Sequence, residues 1–290
     1  MSIKAAHIGY SWAKSKLTLG NQLPAFSLQL QTSSKWQTFV SRSAPVLTMN
    51  PDNSFGLSYK TSGESCFFKT GIYGGTISSN QNRPDKERFI YALRTSCAPE
   101  FASATNHIGF SYLHTEREEG KSFSSNDETN IDNTGHINTD SFSEVSSDRI
   151  ALEYAIVKGP FSFQAEYLTA KVRPKNNKDS TINGWYAFAS WFPTGDSRNY
   201  SKSSAAFGEI KPNKQYGTDG IGAVETALRI SSLDMTGSLN GGKQDIVGAE
   251  LNWYPGGGLK FMLNHSLVAS EKNTVKDKPS MTQFRAQMTF

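Results

Sequence analysis

Hydrophobic and polar residues alternate with a period of two along most of the chain. The clearest example is the final segment, PSMTQFRAQMTF, in which Gln283, Arg285 and Gln287 share one parity and apolar residues occupy the other. Because successive side chains of a β-strand point to opposite faces, this alternation predicts strands with one apolar and one polar face. About thirteen such strands are predicted, near residues 7–12, 16–19, 55–60, 64–74, 88–95, 106–114, 149–157, 161–171, 181–192, 221–232, 245–254, 257–268 and 279–290.

The connections between the predicted strands largely alternate between short and long. Turn sequences such as TSG at residue 62 and KGP at residue 158 are short, whereas polar stretches near 75–87, 115–147 and 174–180 are long. Helical periodicity is rare, and no apolar run approaches the roughly 18 residues that a membrane-spanning helix needs. The sequence therefore predicts an all-β protein and excludes a helical membrane protein.

Two architectures contain strands of this kind, and they differ in what covers the apolar face. A soluble sandwich buries that face, whereas a transmembrane β-barrel exposes it to lipid and keeps a polar lumen, short turns at one end and long loops at the other. The uneven connections favour the antiparallel transmembrane barrel. A girdle of aromatic residues near strand ends fits the same architecture: Trp12, Tyr73, Trp185, Trp191, Trp253 and Tyr254. The alternative is a soluble or surface β-rich binding protein, such as an adhesin or receptor, without channel activity.

Composition and charge narrow the function further. Of the 290 residues 12% are aromatic and 24 are glycine, which suits strands and turns. The formal charge of +4 comes from 30 Lys and Arg against 26 Asp and Glu, with the signs interspersed, so nucleic acid is not an expected partner. No G-x-S-x-G, HExxH or phosphate-loop motif occurs, and His107 and Ser111 on one strand face would be about 13 Å apart. We therefore expect no enzymatic activity.

The two cysteines exclude some chemistry and leave one question open. Cys66 and Cys97 are too few for a zinc site or a disulfide scaffold, so no metal or cofactor is predicted. Antiparallel pairing centred near residue 81 would bring residue 66 opposite residue 96 or 97. A disulfide and two unpaired thiols both remain open, because a slip of one residue turns one thiol to the other face.

Several motifs in order along the chain carry a family resemblance. They are HIGYSWAKSKLTLGNQLPAFSLQLQTSSKWQTFVSRSAPV with an F-x-x-R-x-x-P element, then GWYAFASWFPTGDSRNY, FGEIKP, GAVETALRISSLD and AELNWYPGGGLKFMLNH. The chain resembles the phosphate-selective porins of the O/P type in Gram-negative outer membranes. The resemblance implies a sixteen-stranded trimeric barrel in the bacterial outer membrane, forming a water-filled diffusion channel with anion or phosphate preference. About thirteen strands and no leader lead us to expect a single barrel domain over residues 1–290 that lacks its amino-terminal part.

The resemblance also implies particular residues and partners. The segment 21–52 is expected to fold inward as a constriction loop in which Arg42, with Lys35 as a second candidate, binds passing anions. One cation in a narrow, low-dielectric pore attracts anions far more strongly than on an open surface. The expected partners are small hydrophilic or anionic solutes, outer-membrane lipid and further copies in a homotrimer. Phe290 is similar to the terminal aromatic by which the barrel-assembly machinery recognises such proteins.

The polar parity of the strands predicts the lining of the pore. Seven cations and several carboxylates are predicted there, namely Lys16, Lys60, Arg94, Arg149, Arg229, Lys260 and Arg285 with Glu153, Glu166, Glu225 and Glu250. A mixed wall of this kind also suits a hydrated, ion-paired interior. The stretch 122–148 contains six acidic residues and no Lys or Arg, and we expect it at the external mouth. This expectation favours a general or weakly anion-preferring pore over strict phosphate selectivity.

Overall fold

The protein folds into one large antiparallel sheet that curves around segments of its own chain. The computed structural model describes residues 5–75, 88–117, 122–129, 131, 137–140, 144–175 and 177–289. Its strands are β1 (Ala6–Trp12), β2 (Ser15–Gln22), β3 (Ser54–Ser62), β4 (Cys66–Tyr73), β5 (Arg88–Cys97), β6 (Glu100–Phe101), β7 (Ala104–Arg117), β8 (Ser124–Ser125), β9 (Ile137–Asn138), β10 (Glu144–Lys158), β11 (Phe161–Pro174), β12 (Ser180–Trp191), β13 (Tyr200–Ser201), β14 (Ala206–Phe207), β15 (Ala223–Asp234), β16 (Lys243–Gly256), β17 (Leu259–Lys272), β18 (Val275–Asp277) and β19 (Ser280–Met288). The two short helices are α1 (Leu28–Gln31) and α2 (Ala44–Thr48).

Thirteen of these strands are long neighbours in the main sheet, and they lie where the sequence predicts them. Each pairs with the strand before and after it in the order β1-β2-β3-β4-β5-β7-β10-β11-β12-β15-β16-β17-β19, and β6 and β18 add short ladders. Within the described residues β1 pairs with β2 alone. Among those residues no helix is long and apolar enough to cross a membrane.

The apolar parity of the strands faces outward and is exposed. Ile8 is 75% exposed, Leu228 67% and Phe284 65%, whereas neighbours of the opposite parity such as Ser111 and Glu225 are buried. A sandwich would bury the apolar face, so the soluble alternative is wrong and the sheet is of the outer-membrane barrel type. Trp12, Trp185 and Trp191 lie on this outer face, but Tyr73 and Tyr254 point inward and do not belong to an aromatic girdle.

The concave inner face is covered by residues 23–53, the first interior segment, which joins β2 to β3. Ser27 caps α1 because its hydroxyl accepts a hydrogen bond from the Leu30 amide (3.2 Å). Pro45 lies in the first turn of α2, where its missing N–H costs nothing. A Cβ added to Gly184 of β12 would lie 2.5 Å from the Cβ of Pro45. A glycine at this position therefore lets the segment approach the wall closely.

Two more segments, which the sequence analysis did not predict to fold inward, lie on the inner face. The second interior segment, residues 122–129, 131 and 137–140, buries Phe123 and Ile137. The prediction of an acidic external mouth is wrong for Asp127 and Glu128, each 1% exposed, because Gln244 and Arg229 of the wall bind them. The third interior segment, residues 192–222, is a long connection at the end of the sheet where the turns 13–14, 63–65, 159–160 and 257–258 are short.

Cys66 and Cys97 lie directly opposite each other in the β4–β5 ladder and form a disulfide. Their Cα atoms are 4.0 Å apart. The bridge closes a loop of 31 residues at the short-turn end of two adjacent strands. The structure thus contains the disulfide, and residue 66 pairs with residue 97 rather than with residue 96.

Replacing Cys66 and Cys97 together by serine should lower the free energy of unfolding by about 3 to 4 kcal/mol, because the unfolded chain regains the freedom of the closed loop. Urea unfolding in detergent micelles measures the loss. The parent protein, alkylated without reduction under denaturing conditions, should label at neither cysteine. Labelling of both would contradict the bridge.

Candidate functional site

Carboxylates of the sheet hold the first interior segment through its backbone. Glu166 of β11 accepts hydrogen bonds from the amides of Leu28 (2.8 Å) and Gln29 (2.7 Å). Glu250 of β16 accepts one from the Val40 amide (3.3 Å). Glu225 of β15 accepts hydrogen bonds from the hydroxyls of Thr38 (3.0 Å) and Tyr254 (2.7 Å) and from the side-chain amide of Asn252 (3.0 Å). These acids, which the sequence places on the inner wall, therefore act as acceptors for the segment that they face.

Arg94 and Glu153 form a buried pair at the centre of a larger network. Arg94 donates to both carboxylate oxygens, at 2.9 Å from Nε and 2.7 Å from Nη2, and Nη2 also donates to the Ala205 carbonyl of the third interior segment (2.8 Å). Ser111 donates to Glu153 (2.6 Å), and His107 Nε2 lies 3.0 Å from it. The carboxylate thus lies between serine and histidine, whereas a nucleophile needs the base next to it.

Arg149 and Arg229, like Arg94, are buried against the interior segments. Arg149 donates to the Met49 carbonyl (2.9 Å) and lies over the Phe123 ring. Arg229 pairs with Glu128, donates to the Ser41 carbonyl (2.9 Å) and lies over the Phe39 ring. With Arg94, these guanidinium groups are at most 2% exposed. They face inward as the sequence predicts, but their contact with a permeating ion stays a prediction.

A row of cations crosses four neighbouring strands on the inner face. The register places Lys16 opposite Lys60, Lys60 opposite Lys69, and Lys69 opposite Arg94. Lys60 and Lys69 donate to the carbonyls of Ser203 (3.4 Å) and Leu23 (3.3 Å). Like charges directly opposite each other destabilise a ladder unless an anion offsets them. The sequence analysis missed Lys69, because the parity of Lys69 in CFFKTGIY also contains Phe67 and Tyr73 and is not a polar face.

Arg42 and Arg285 line one cavity of about 510 Å³ between the first interior segment and β19. Polar side chains of Ser34, Gln37, Ser41 and Gln283 share its lining, and none of the described residues in that lining is a carboxylate. Arg42 Nε and Nη2 donate to the carbonyls of Gln29 (3.2 Å) and Thr32 (3.1 Å), and its Nη1 has no hydrogen-bond partner in the described part of the chain. Burial lowers the pKa of Arg42, yet an arginine stays charged at neutral pH.

Arg285 and Lys35 lie in different positions relative to this cavity. Arg285 donates to the Gln287 side chain (2.7 Å) and remains half-buried at the cavity wall. Lys35 is exposed outside the cavity, and its carbonyl accepts a hydrogen bond from Gln287 (3.2 Å). Two of the predicted cations, Arg42 and Arg285, therefore line the cavity, whereas Lys35 lies beside it.

A second cavity of about 290 Å³ lies on the short-turn side of residues 34–37. Lys260 lines it and donates to the Gln37 carbonyl (2.5 Å), 5.0 Å from the Tyr254 ring. The third interior segment forms another part of its wall through Ile210, Lys211 and Pro212. Arg198 anchors that segment, because it lies between the rings of Phe188 and Phe207 and donates to Gln164 (3.1 Å). Burial lowers the pKa of Arg198 to about 10, so it is cationic at neutral pH.

The sequence matches the family model described as phosphate-selective porin O and P over residues 2–290. The chain belongs to this family. Porin O of Pseudomonas aeruginosa is 25% identical over 297 residues, which cover 89% of this chain and 66% of that porin. An uncharacterized protein of Caulobacter vibrioides is 28% identical over 270 residues, 87% of this chain and 53% of the relative. The chain thus spans about half to two thirds of the length of these two relatives.

Solved outer-membrane structures share the porin fold with this chain. Outer-membrane expressed OmpT of Vibrio cholerae has a TM-score of 0.56 at 11% identity, covering 98% of this chain and 79% of that one. The trimer form of in-vitro folded OmpT has a TM-score of 0.55 at 10% identity, covering 99% and 77%. Family membership and this fold place the porin in the bacterial outer membrane. Within the described ranges no group of three or more His, Cys, Asp or Glu residues is arranged to hold a metal, and Phe290 lies outside those ranges.

Proposed function

We propose that this protein forms a water-filled diffusion channel that prefers small anions, phosphate among them. The observation that carries the proposal is the cavity between Arg42 and Arg285, whose lining, as far as the structure describes the chain, has two cations and no carboxylate. Two unit charges 4 Å apart attract each other by about 4 kcal/mol at an effective dielectric of about 20. An anion in this cavity is therefore stabilised relative to a cation of the same size.

The distribution of carboxylates supports the same preference. Glu128 and Glu153 are paired with arginines, and Glu166 accepts two backbone amides. The arginines and backbone amides therefore offset the negative charge of these three carboxylates locally. Lys16, Lys60 and Lys69 add positive charge on the opposite part of the inner face. The acidic stretch that seemed to weaken phosphate preference has Asp127 and Glu128 bound inside, so that objection does not apply to them.

The proposal extends to assembly. The exposed apolar face of the sheet suits outer-membrane lipid, and the trimer form of OmpT, a protein of the same fold, supports a homotrimer. Recognition of Phe290 by the barrel-assembly machinery is part of the same proposal. Lys35 and the constriction role of residues 21–52 also belong to it, because that segment lies against the wall strands from β7 to β17.

The test is the reversal potential of the purified protein in planar bilayers under a tenfold potassium chloride gradient. We expect conductance with the sign of chloride preference, and phosphate should reduce the chloride current. A reversal potential of zero, or one with the sign of potassium preference, would overturn the proposed selectivity. Absence of any conductance would overturn the channel itself.

A further inference from the structure

The smaller cavity, which we call the Trp36 cavity, differs in character from the cavity of Arg42. Its lining contains the apolar or aromatic side chains of Trp36, Ile210, Pro212 and Tyr254. It also contains Gln287 and Lys260, whose amine lies 5.0 Å from the Tyr254 ring. Its volume of about 290 Å³ is close to the lower end for small-molecule pockets. A bare inorganic anion has no apolar surface, so its binding does not require the aromatic side chains that lie near these amines.

Trp36 lies on a turn that is held on both sides. Its amide donates to the Ser33 carbonyl (2.9 Å), and the Gln37 side chain donates to the carbonyls of Gln29 (3.1 Å) and Thr32 (3.3 Å). Within the described residues the indole ring contacts no other aromatic ring, and its N–H has no hydrogen-bond partner. The turn therefore presents a half-buried, unpartnered aromatic surface to the cavity.

Amines outnumber carboxylates among the described residues that line the cavity. Lys260 is 4% exposed, and Lys211 has no ion pair within the described chain, whereas Glu209 is the one carboxylate in the lining. The lining thus has two amines and one acid, while Glu225 and Glu250 of the wall, which are not part of the lining, also act electrostatically on Lys260. Because Lys260 is buried at the wall, its charge is weakly screened by solvent.

Three consecutive glycines line part of the cavity. Gly256, Gly257 and Gly258 all have positive φ, which glycine adopts without strain. A Cβ on Gly258 would lie 2.2 Å from the Thr289 carbonyl oxygen, and one on Gly256 would press on Gln215. The turn between β16 and β17 therefore carries no side chain at this part of the cavity.

We infer that the Trp36 cavity binds organic anions with a flat aromatic body, of the class of aryl phosphates. The aromatic ring stacks on Trp36, and the phosphate meets Lys260 and Lys211. The inference rests on the proposed function, since the anion reaches this cavity through the channel. The inference adds aryl phosphates to the proposed solutes. The lining of the Arg42 cavity, among the residues that the structure describes, contains no tryptophan, so that cavity does not distinguish aryl phosphates from inorganic phosphate.

The experiment is calorimetric titration of the protein in detergent micelles with phenyl phosphate and with methyl phosphate. Phenyl phosphate should bind more tightly to the parent protein. Trp36→Ala should weaken phenyl phosphate binding about three- to tenfold, the range that aromatic pairs contribute, and leave methyl phosphate unchanged. Trp36→Phe, which keeps a ring, should retain most of the preference. Trp185→Ala, on the outer face, is the matched control and should change neither affinity.

Equal affinities for the two phosphates in the parent protein would overturn the inference, as would unchanged phenyl phosphate binding in Trp36→Ala. If that variant does not fold, the parent ratio and its retention in Trp36→Phe decide the question. Binding at equilibrium does not require conduction. Tryptophan-dependent preference without bilayer conductance would therefore overturn the proposed channel alone, and conductance without this preference would overturn the cavity assignment alone.

Discussion

Replacing Glu153 by leucine should lower the free energy of unfolding by about 3 to 5 kcal/mol. Arg94 is 1% exposed and donates to both oxygens of this carboxylate. Without Glu153 its charge would be buried with no compensating partner, and the hydroxyl of Ser111 would lose its acceptor. Urea unfolding in detergent micelles, followed by tryptophan fluorescence, measures the change.

Two further variants separate this effect from a general loss of charge. Glu100→Gln removes an exposed carboxylate that pairs with Lys202 at 2.7 Å, and its unfolding midpoint should match the parent. Arg94→Met combined with Glu153→Leu should regain most of the stability, because no unpaired charge remains. A single Glu153→Leu variant as stable as the parent would show that the pair does not hold the interior together.

Replacing Arg285 by glutamate should shift the ratio of anion to cation permeability about tenfold towards cations, equivalent to about 1.4 kcal/mol. The substitution changes the charge of the Arg42 cavity by two units, and no carboxylate opposes it among the lining residues that the structure describes. Arg42→Glu should act in the same direction, but it also removes the bonds to the carbonyls of Gln29 and Thr32. The reversal potential in a salt gradient is the measurement.

Lys276→Glu supplies the matched control for charge reversal. Lys276 of β18 is 68% exposed and lies at the end of the sheet away from the short turns. It pairs with Glu271 at 3.5 Å, so solvent and salt screen its charge. Arg83→Glu, outside the described residues, should also have less effect than Arg42→Glu. Equal shifts for Arg285→Glu and Lys276→Glu would show that the cavity does not control selectivity.

The sequence was sufficient for the strands because each one alternates between lipid and interior. Leu251 and Asn252 of β16, for example, differ in polarity as their faces require, and the structure exposes the first and buries the second. The inward parity of Arg94, Arg149 and Arg229 follows from the same rule. Thirteen long strands were therefore predictable from local pattern alone.

The contents of the interior were less predictable, because they depend on contacts between distant residues. Parity cannot show that Glu128 pairs with Arg229, since 101 residues separate them. The sequence analysis also did not predict the third interior segment, although this connection contains apolar residues such as Ala206, Phe207 and Ile210. Phe123 and Ile137 gave the same signal in the second segment. Some apolar residues in these connections are thus buried on the inner face, but others, such as Ile131 and Ile221, are exposed, so apolar character alone did not predict inward folding.

The first interior segment lies early in the chain, but its partners come late, and this separation constrains assembly. Asn252 donates to the Thr38 carbonyl and Lys260 to the Gln37 carbonyl, across 214 and 223 residues. Contacts over such distances form slowly, because a long loop must close before they stabilise anything. While the carboxy-terminal strands are still unpaired, the amides and carbonyls of residues 37–40 lack these acceptors and donors. The interior of the sheet is therefore completed after the wall, so refolding should restore strand signal before the contacts of residues 37–40 form.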